Sequence, residues 1–191
     1  MTFQQIIENN LSKVLIQENS SNNLFVPTSK DQLYELTELV GNTASQFIEF
    51  YKDNQPSRFP SLKSKTTLLD IQSIIEENRD LAPGAYLSKL GIYVFAVTIG
   101  GNVICIDVND MKEGDPVVLI IDHTFCYCDE DEEEIEIVNL PSYIDESEVP
   151  DEDFEFNYNN VRKFVYKIED SFVEFMKKFS LDQYDDLEML L

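Results

Sequence analysis

Two runs rich in β-branched and aromatic residues, Ile92–Ile99 and Val103–Val108, flank the tripeptide Gly100-Gly101-Asn102. Gly and Asn reach positive φ at little steric cost, so the tripeptide makes a tight turn and the two runs pair as an antiparallel hairpin. A third apolar run, Val117–Asp122, follows the loop Asn109–Pro116 and extends the hairpin into a meander.

Before and after this meander the apolar period changes from two to three and four. Thr2-x-x-Gln5 is a capping-box pattern, and Phe3, Ile6, Ile7, Leu11, Val14 and Leu15 then fall on one helical face. The polar stretch Glu18–Asn23 closes that helix, so residues 1–23 read as an amphipathic helix and linker that dock on a domain beginning at Leu24, with dimerisation as the alternative role. Ser29-x-x-Gln32 caps a helix carrying Leu33, Leu36, Leu39 and Val40, which Gly41 stops. Thr43-x-x-Gln46 opens another, with Phe47, Phe50 and Tyr51 on one face, and Asp53–Pro60 is a loop. Thr66–Leu69 is a short strand, and Asp70 is the N-cap of a helix over Ile71–Arg79. Near the end, Phe164–Ile168 alternates as a strand. Ser171-x-x-Glu174 then caps a helix whose Phe172, Phe175, Met176 and Phe179 face inward. Residues 181–191 form a mixed acidic and apolar tail.

The chain of 191 residues suits one domain with an N-terminal appendage. At that length about 70% of the unfolded surface can be buried, so the fold needs neither disulfide nor metal. Thirteen Phe and nine Tyr argue against general disorder. Three cysteines are too few, and odd in number, for a disulfide framework. The start of the chain shows no basic region followed by an apolar one. The runs Ile92–Val97 and Val117–Ile121 are far too short to span a bilayer, which points to a cytoplasmic address away from the membrane.

Charge is the outlier. Thirty-seven acidic residues against 14 basic ones leave a formal net charge of −23. That field repels nucleic-acid phosphates and anionic membranes and attracts basic proteins. Between Glu113 and Val161 there is no Lys or Arg, yet this stretch holds 17 of the acidic residues. It contains the unbroken run Asp129, Glu130, Asp131, Glu132, Glu133, Glu134 and a second group, Asp145, Glu146, Glu148, Asp151 and Asp153. Ile135, Ile137, Val138, Ile144, Phe154 and Phe156 lie among them, so parts of the stretch touch the domain. Two readings of the acidity stand: a solvated surface, or a patch complementary to Lys and Arg on a partner.

No catalytic residue is assigned. His123 beside Asp122 has the composition of an acid–base dyad, but no nucleophile elbow, P-loop or dinucleotide fingerprint accompanies it. A surface or structural histidine at a strand end is the preferred reading. His123, Cys126, Cys128 and Cys105 match zinc in number, but His-x-x-Cys-x-Cys fits no common zinc spacing. Asp129–Glu134 lacks the glycine and the alternating oxygens of a calcium loop. No metal and no cofactor are expected.

The order of features from Pro27 onward resembles the SUKH superfamily, which contains yeast-type cell-wall assembly regulators and many bacterial toxin-immunity proteins. Four stretches carry the resemblance: Val26–Leu33, the hairpin Val94–Asp107, the strand ending in Asp122-His123, and Ile168–Met176, similar to the family's final Ser-Phe-x-x-Phe helix. They cover roughly residues 25–180. Asn42-Thr43-Ala44-Ser45 stands where the family has a Leu-Pro pair, and the acidic insertion at 129–160 is long for it. The resemblance implies an α+β domain over residues 24–180, a mainly antiparallel sheet with helices packed on one face. It also implies a non-catalytic immunity protein that binds and neutralises a cognate toxin, often a nuclease and hence basic. The expected contacts are the two acidic groups named above, with Phe125, Tyr127 and Tyr143 as apolar anchors. The alternative is a protein-interaction scaffold or regulatory module of the wall-assembly type. Oligomeric state stays open.

Overall fold

The hairpin lies within a five-stranded antiparallel sheet in the computed structural model, which describes residues 2–16, 24–57, 62–129 and 134–191. The helices are α1 (Phe3–Ile16), α2 (Lys30–Val40), α3 (Ser45–Tyr51), α4 (Ile71–Arg79), α5 (Gly84–Leu87), α6 (Tyr158–Phe164) and α7 (Phe172–Ser180). The strands are β1 (Phe25–Pro27), β2 (Asn54–Pro56), β3 (Thr66–Leu68), β4 (Ile92–Thr98), β5 (Val103–Lys112), β6 (Asp115–Ile121), β7 (Cys126–Asp129), β8 (Glu134–Ile137) and β9 (Tyr166–Glu169). The main sheet runs β3-β4-β5-β6-β9, while β1-β2 and β7-β8 form separate two-stranded ribbons. This is the expected mixed α+β fold with a mainly antiparallel sheet.

Most local signals act where they were expected. Thr2 and Gln5 exchange both capping-box bonds, at 3.0 and 3.3 Å. Ser29 and Gln32 do the same at 3.1 and 3.2 Å, and Gly41 ends α2 at φ 86°. Asp70 accepts from the Ser73 amide and Ser171 from the Glu174 amide. Gly101, at φ 97°, makes the β4–β5 turn.

Two expectations fail through one contact. The sequence pattern placed a cap at Thr43 and a loop at Asn109–Pro116. Instead α3 starts after Ala44 with no side-chain cap, and β5 and β6 run on to a tight turn at Glu113-Gly114. The Gly114 carbonyl accepts the Gln46 amide at 3.0 Å, so a partner distant in sequence satisfies the helix terminus. A Cβ at Gly114 would collide with Ser45 Oγ, which makes glycine a requirement of that approach.

Both faces of the sheet are covered. On one, Phe95, Ile104, Ile106, Val118 and Ile120 meet α1–α4 and α7. Phe172 is the hub of this layer, its ring 5.2 Å from Phe47, 5.7 Å from Phe50 and 5.4 Å from Phe95, all edge-on. Ile7 and Leu11 of α1 are fully buried here, so the N-terminal helix completes this core. On the other face, Ile92, Val94, Val103, Cys105, Val117 and Leu119 meet Leu87, Phe125, Cys126, Ile137, Val161 and Phe164. The unbroken apolar runs in β5 and β6 follow from this: with both faces covered, alternation with polar residues disappears.

The tail at 181–191 is docked on the domain. Tyr184 stacks on Phe175 at 5.2 Å and Leu187 is buried. The Glu188 carboxylate accepts from the Gly100 amide and from Asn102 Nδ2, each at 2.8 Å, clamping the hairpin turn.

Phe172→Ala removes the hub ring without replacing its volume. It is expected to lower unfolding free energy by about 4 kcal/mol, read as a reduced urea midpoint with unchanged slope.

Candidate functional site

The second sheet face is covered largely by the acidic stretch itself. Asp122 ends β6 by accepting from the Thr124 amide at 2.7 Å and its hydroxyl at 2.6 Å, a side-chain-closed turn. The turn drives Phe125 into the core, where it is 2% exposed. The β7–β8 ribbon follows, pairing Cys126 with Ile137, Tyr127 with Glu136 and Cys128 with Ile135. Alternation turns Cys126 and Ile137 inward and leaves Tyr127 and Glu136 outside. Asp145 closes another turn by accepting from the Ser147 amide and hydroxyl at 3.0 and 2.6 Å. These bonds to its charged form hold the Asp145 carboxyl below its ordinary value. Short 3₁₀ turns at Glu146–Glu148 and Asp151–Phe154 lead to an isolated bridge between Glu155 and Glu136.

The stretch is tied down at α6, which the sequence reading missed by extending a strand over Phe164–Ile168. The strand begins at Tyr166 instead. The available signal was Asn157-x-x-Asn160: the Asn157 side chain caps the helix through the Asn160 amide at 3.0 Å. Asn160 Nδ2 then donates to the carbonyls of Glu152 and Glu155, at 2.9 and 3.0 Å. Arg162 Nε pairs with fully buried Asp107 of β5 at 3.1 Å, and its Nη2 with Asp110 at 3.1 Å. Tyr158 donates its hydroxyl to the same Asp107 at 2.9 Å.

The expected contact residues divide accordingly. Phe125 is a core residue, so its role as a surface anchor is withdrawn: the turn at Asp122 points it inward. Asp153 forms an ion pair with Lys163 and its side chain is 18% exposed, so its charge is already answered within the chain. Glu134, Asp145, Glu146, Glu148 and Asp151 are exposed, as are Tyr127 and Tyr143 at 60% each. Asp129 ends β7, while Glu130, Asp131, Glu132 and Glu133 lie outside the described residues. Glu136 was not among the expected contacts; Glu155 closes the second acidic group, and Phe154 and Phe156 were expected only to touch the domain. With Glu134, Ile135 and Asp151 these line a cleft of about 320 Å³ between β8 and the 151–156 segment. Its signal was the interleaving of carboxylates and apolar residues in Glu134-Ile135-Glu136-Ile137 and Phe154-Glu155-Phe156.

His123 is half exposed, with Nδ1 3.2 Å from Asn102 Oδ1 and 3.7 Å from Asp122 Oδ1, and that carboxylate oxygen is already engaged by Thr124. Cys105 is fully buried, and burial raises its thiol well above the ordinary range. Burial, with Cys128 alongside, pushes Cys126 up to about 12. Thiols so placed stay protonated at neutral pH and are poor ligands and nucleophiles. Among the described residues no three His, Cys, Asp or Glu side chains are grouped to hold a metal ion, and no helix is long and apolar enough to cross a membrane. What the surface offers is a negative field with aromatic side chains standing in it.

Two measurements check this arrangement. Ellman's reagent is expected to titrate at most Cys128 quickly in the native protein, with Cys105 and Cys126 reacting only after unfolding. Arg162→Met leaves Asp107 buried without its cation and is expected to cost about 3 kcal/mol in urea unfolding.

The sequence model of the SMI1 / KNR4 family (SUKH-1) matches residues 27–178. No curated protein and no solved structure gives a significant match. The matched span takes in the five-stranded sheet and the acidic layer, from the end of β1 into α7. The chain therefore belongs to the SMI1 / KNR4 family (SUKH-1).

Proposed function

We propose that this protein is a non-catalytic immunity protein that binds and neutralises a basic, nuclease-like toxin through its acidic layer. The observation that carries the reading is the division of charge on the second face. Asp107, Asp110 and Asp153 are paired with Arg162 and Lys163. Glu134, Asp145, Glu146, Glu148 and Asp151 make no ion pair with any described residue. Unanswered carboxylates on a folded support steer a cationic partner and occupy the surface where such a partner would hold phosphate. Tyr127 and Tyr143 stand among them as contacts of low entropy cost. Family membership supports an immunity or regulatory role of this kind.

A second reading, a regulatory scaffold, is favoured by Ile99 and Met189. Both are 81% exposed, on the hairpin turn and the tail that Glu188 joins. Neither belongs to the acidic stretch.

The test uses any toxin domain found encoded beside this gene. The full chain is expected to abolish toxin activity at equimolar ratio. Replacing Asp129–Glu134 by lysines is expected to slow association by about tenfold or more at low salt, with the difference shrinking as salt rises. An unchanged association rate removes the electrostatic part of the reading. Binding without loss of toxin activity favours the scaffold.

A further inference from the structure

The cleft between β8 and the 151–156 segment differs in kind from the rest of the acidic surface. Elsewhere on this layer the unpaired carboxylates project from open turns. Here Glu134 and Glu136 of β8 and Asp151 and Glu155 of the later segment line one cleft together with Ile135, Phe154 and Phe156. The volume of about 320 Å³ corresponds to roughly ten waters, enough for one long side chain. Its walls are braced: Glu136 and Glu155 are bridge partners, and Asn160 holds the Glu152 and Glu155 carbonyls. The described residues bring no Lys or Arg to it, although Lys163 and Arg162 are spent on Asp153 and Asp107 nearby. Tyr127 is the register partner of Glu136 in the ribbon.

We infer that this cleft is the docking site for an arginine side chain presented by the basic partner. The inference rests on the basic-partner reading above and names the chemistry of its anchor. Several carboxylates around one cleft match the planar fork of a guanidinium, which bonds in pairs, better than the compact ammonium of lysine. Two phenylalanines in the same lining offer ring surface to that cation and apolar surface to its stem. A calcium-like ion would gain nothing from those rings.

The test measures binding of fluorescent hexa-arginine and hexalysine peptides to the full chain at about 0.15 M salt, by anisotropy. The chain is expected to prefer hexa-arginine by about fivefold. The isosteric double variant Glu136→Gln/Glu155→Gln is expected to weaken hexa-arginine binding by about tenfold. The control Glu35→Gln/Glu38→Gln removes equal charge from exposed positions on α2, across the sheet, and is expected to change binding less than about twofold. Phe154→Leu keeps an apolar side chain in the lining without a ring, and is expected to erase most of the preference for arginine. Equal losses in the two double variants, or no preference between the peptides, would overturn the cleft as an arginine site and leave the basic-partner reading standing. Failure of both peptides to bind the unaltered chain even at low salt would overturn that reading itself.

Discussion

Burial of the β4–β5–β6 meander on both faces is the constraint from which the rest of the structure follows. Val103 to Asp107 in β5 and Pro116 to Ile121 in β6 are buried without interruption. One face takes the helical layer, with Phe172 at its hub. The other needs a cover too, and among the described residues the acidic stretch after β6 supplies much of it, with Leu87 beside it. That stretch pays in apolar residues, inserting Phe125, Cys126, Ile137, Val161 and Phe164, so its charges have nowhere to go but outward. The acidic surface is thus a consequence of how the second core is closed.

Closure of that layer depends on few polar groups, each well satisfied. Asp107 is fully buried and would be costly alone, but it collects Arg162, the Tyr158 hydroxyl and the Asn109 amide. A pair of this kind contributes registry more than net stability: it admits one placement of α6 on β5 and so one course for the chain before it. The same economy leaves the outer carboxylates unanswered. Like charges at such density oppose compaction, and the two cores offset the repulsion.

Much of this was legible in local patterns. The capping boxes at Thr2 and Ser29, the caps at Asp70 and Ser171, and the turn at Gly101 rest on bonds within four residues. They therefore hold whatever the surroundings. The errors share the opposite cause. The start of α3 and the β5–β6 turn were misplaced because Gln46 bonds to Gly114, 68 positions on in the numbering. The helix over Tyr158–Phe164 was missed because its apolar face is two residues, Val161 and Phe164, too few for a period to show. Phe125 looked like a surface aromatic until the Asp122 turn gave it a direction.

By itself the sequence determined the α+β class, the hairpin at 92–108, the caps of four helices and the sign of the field. Each of these depends on side-chain type and short-range geometry. Only the tertiary structure decided which carboxylates are answered and which stand open. Asp153 and Glu155 lie two positions apart and carry the same charge, yet one meets Lys163 and the other lines the cleft. The difference arises from where α6 lands on the sheet, and that position is set by buried contacts between segments far apart in the chain.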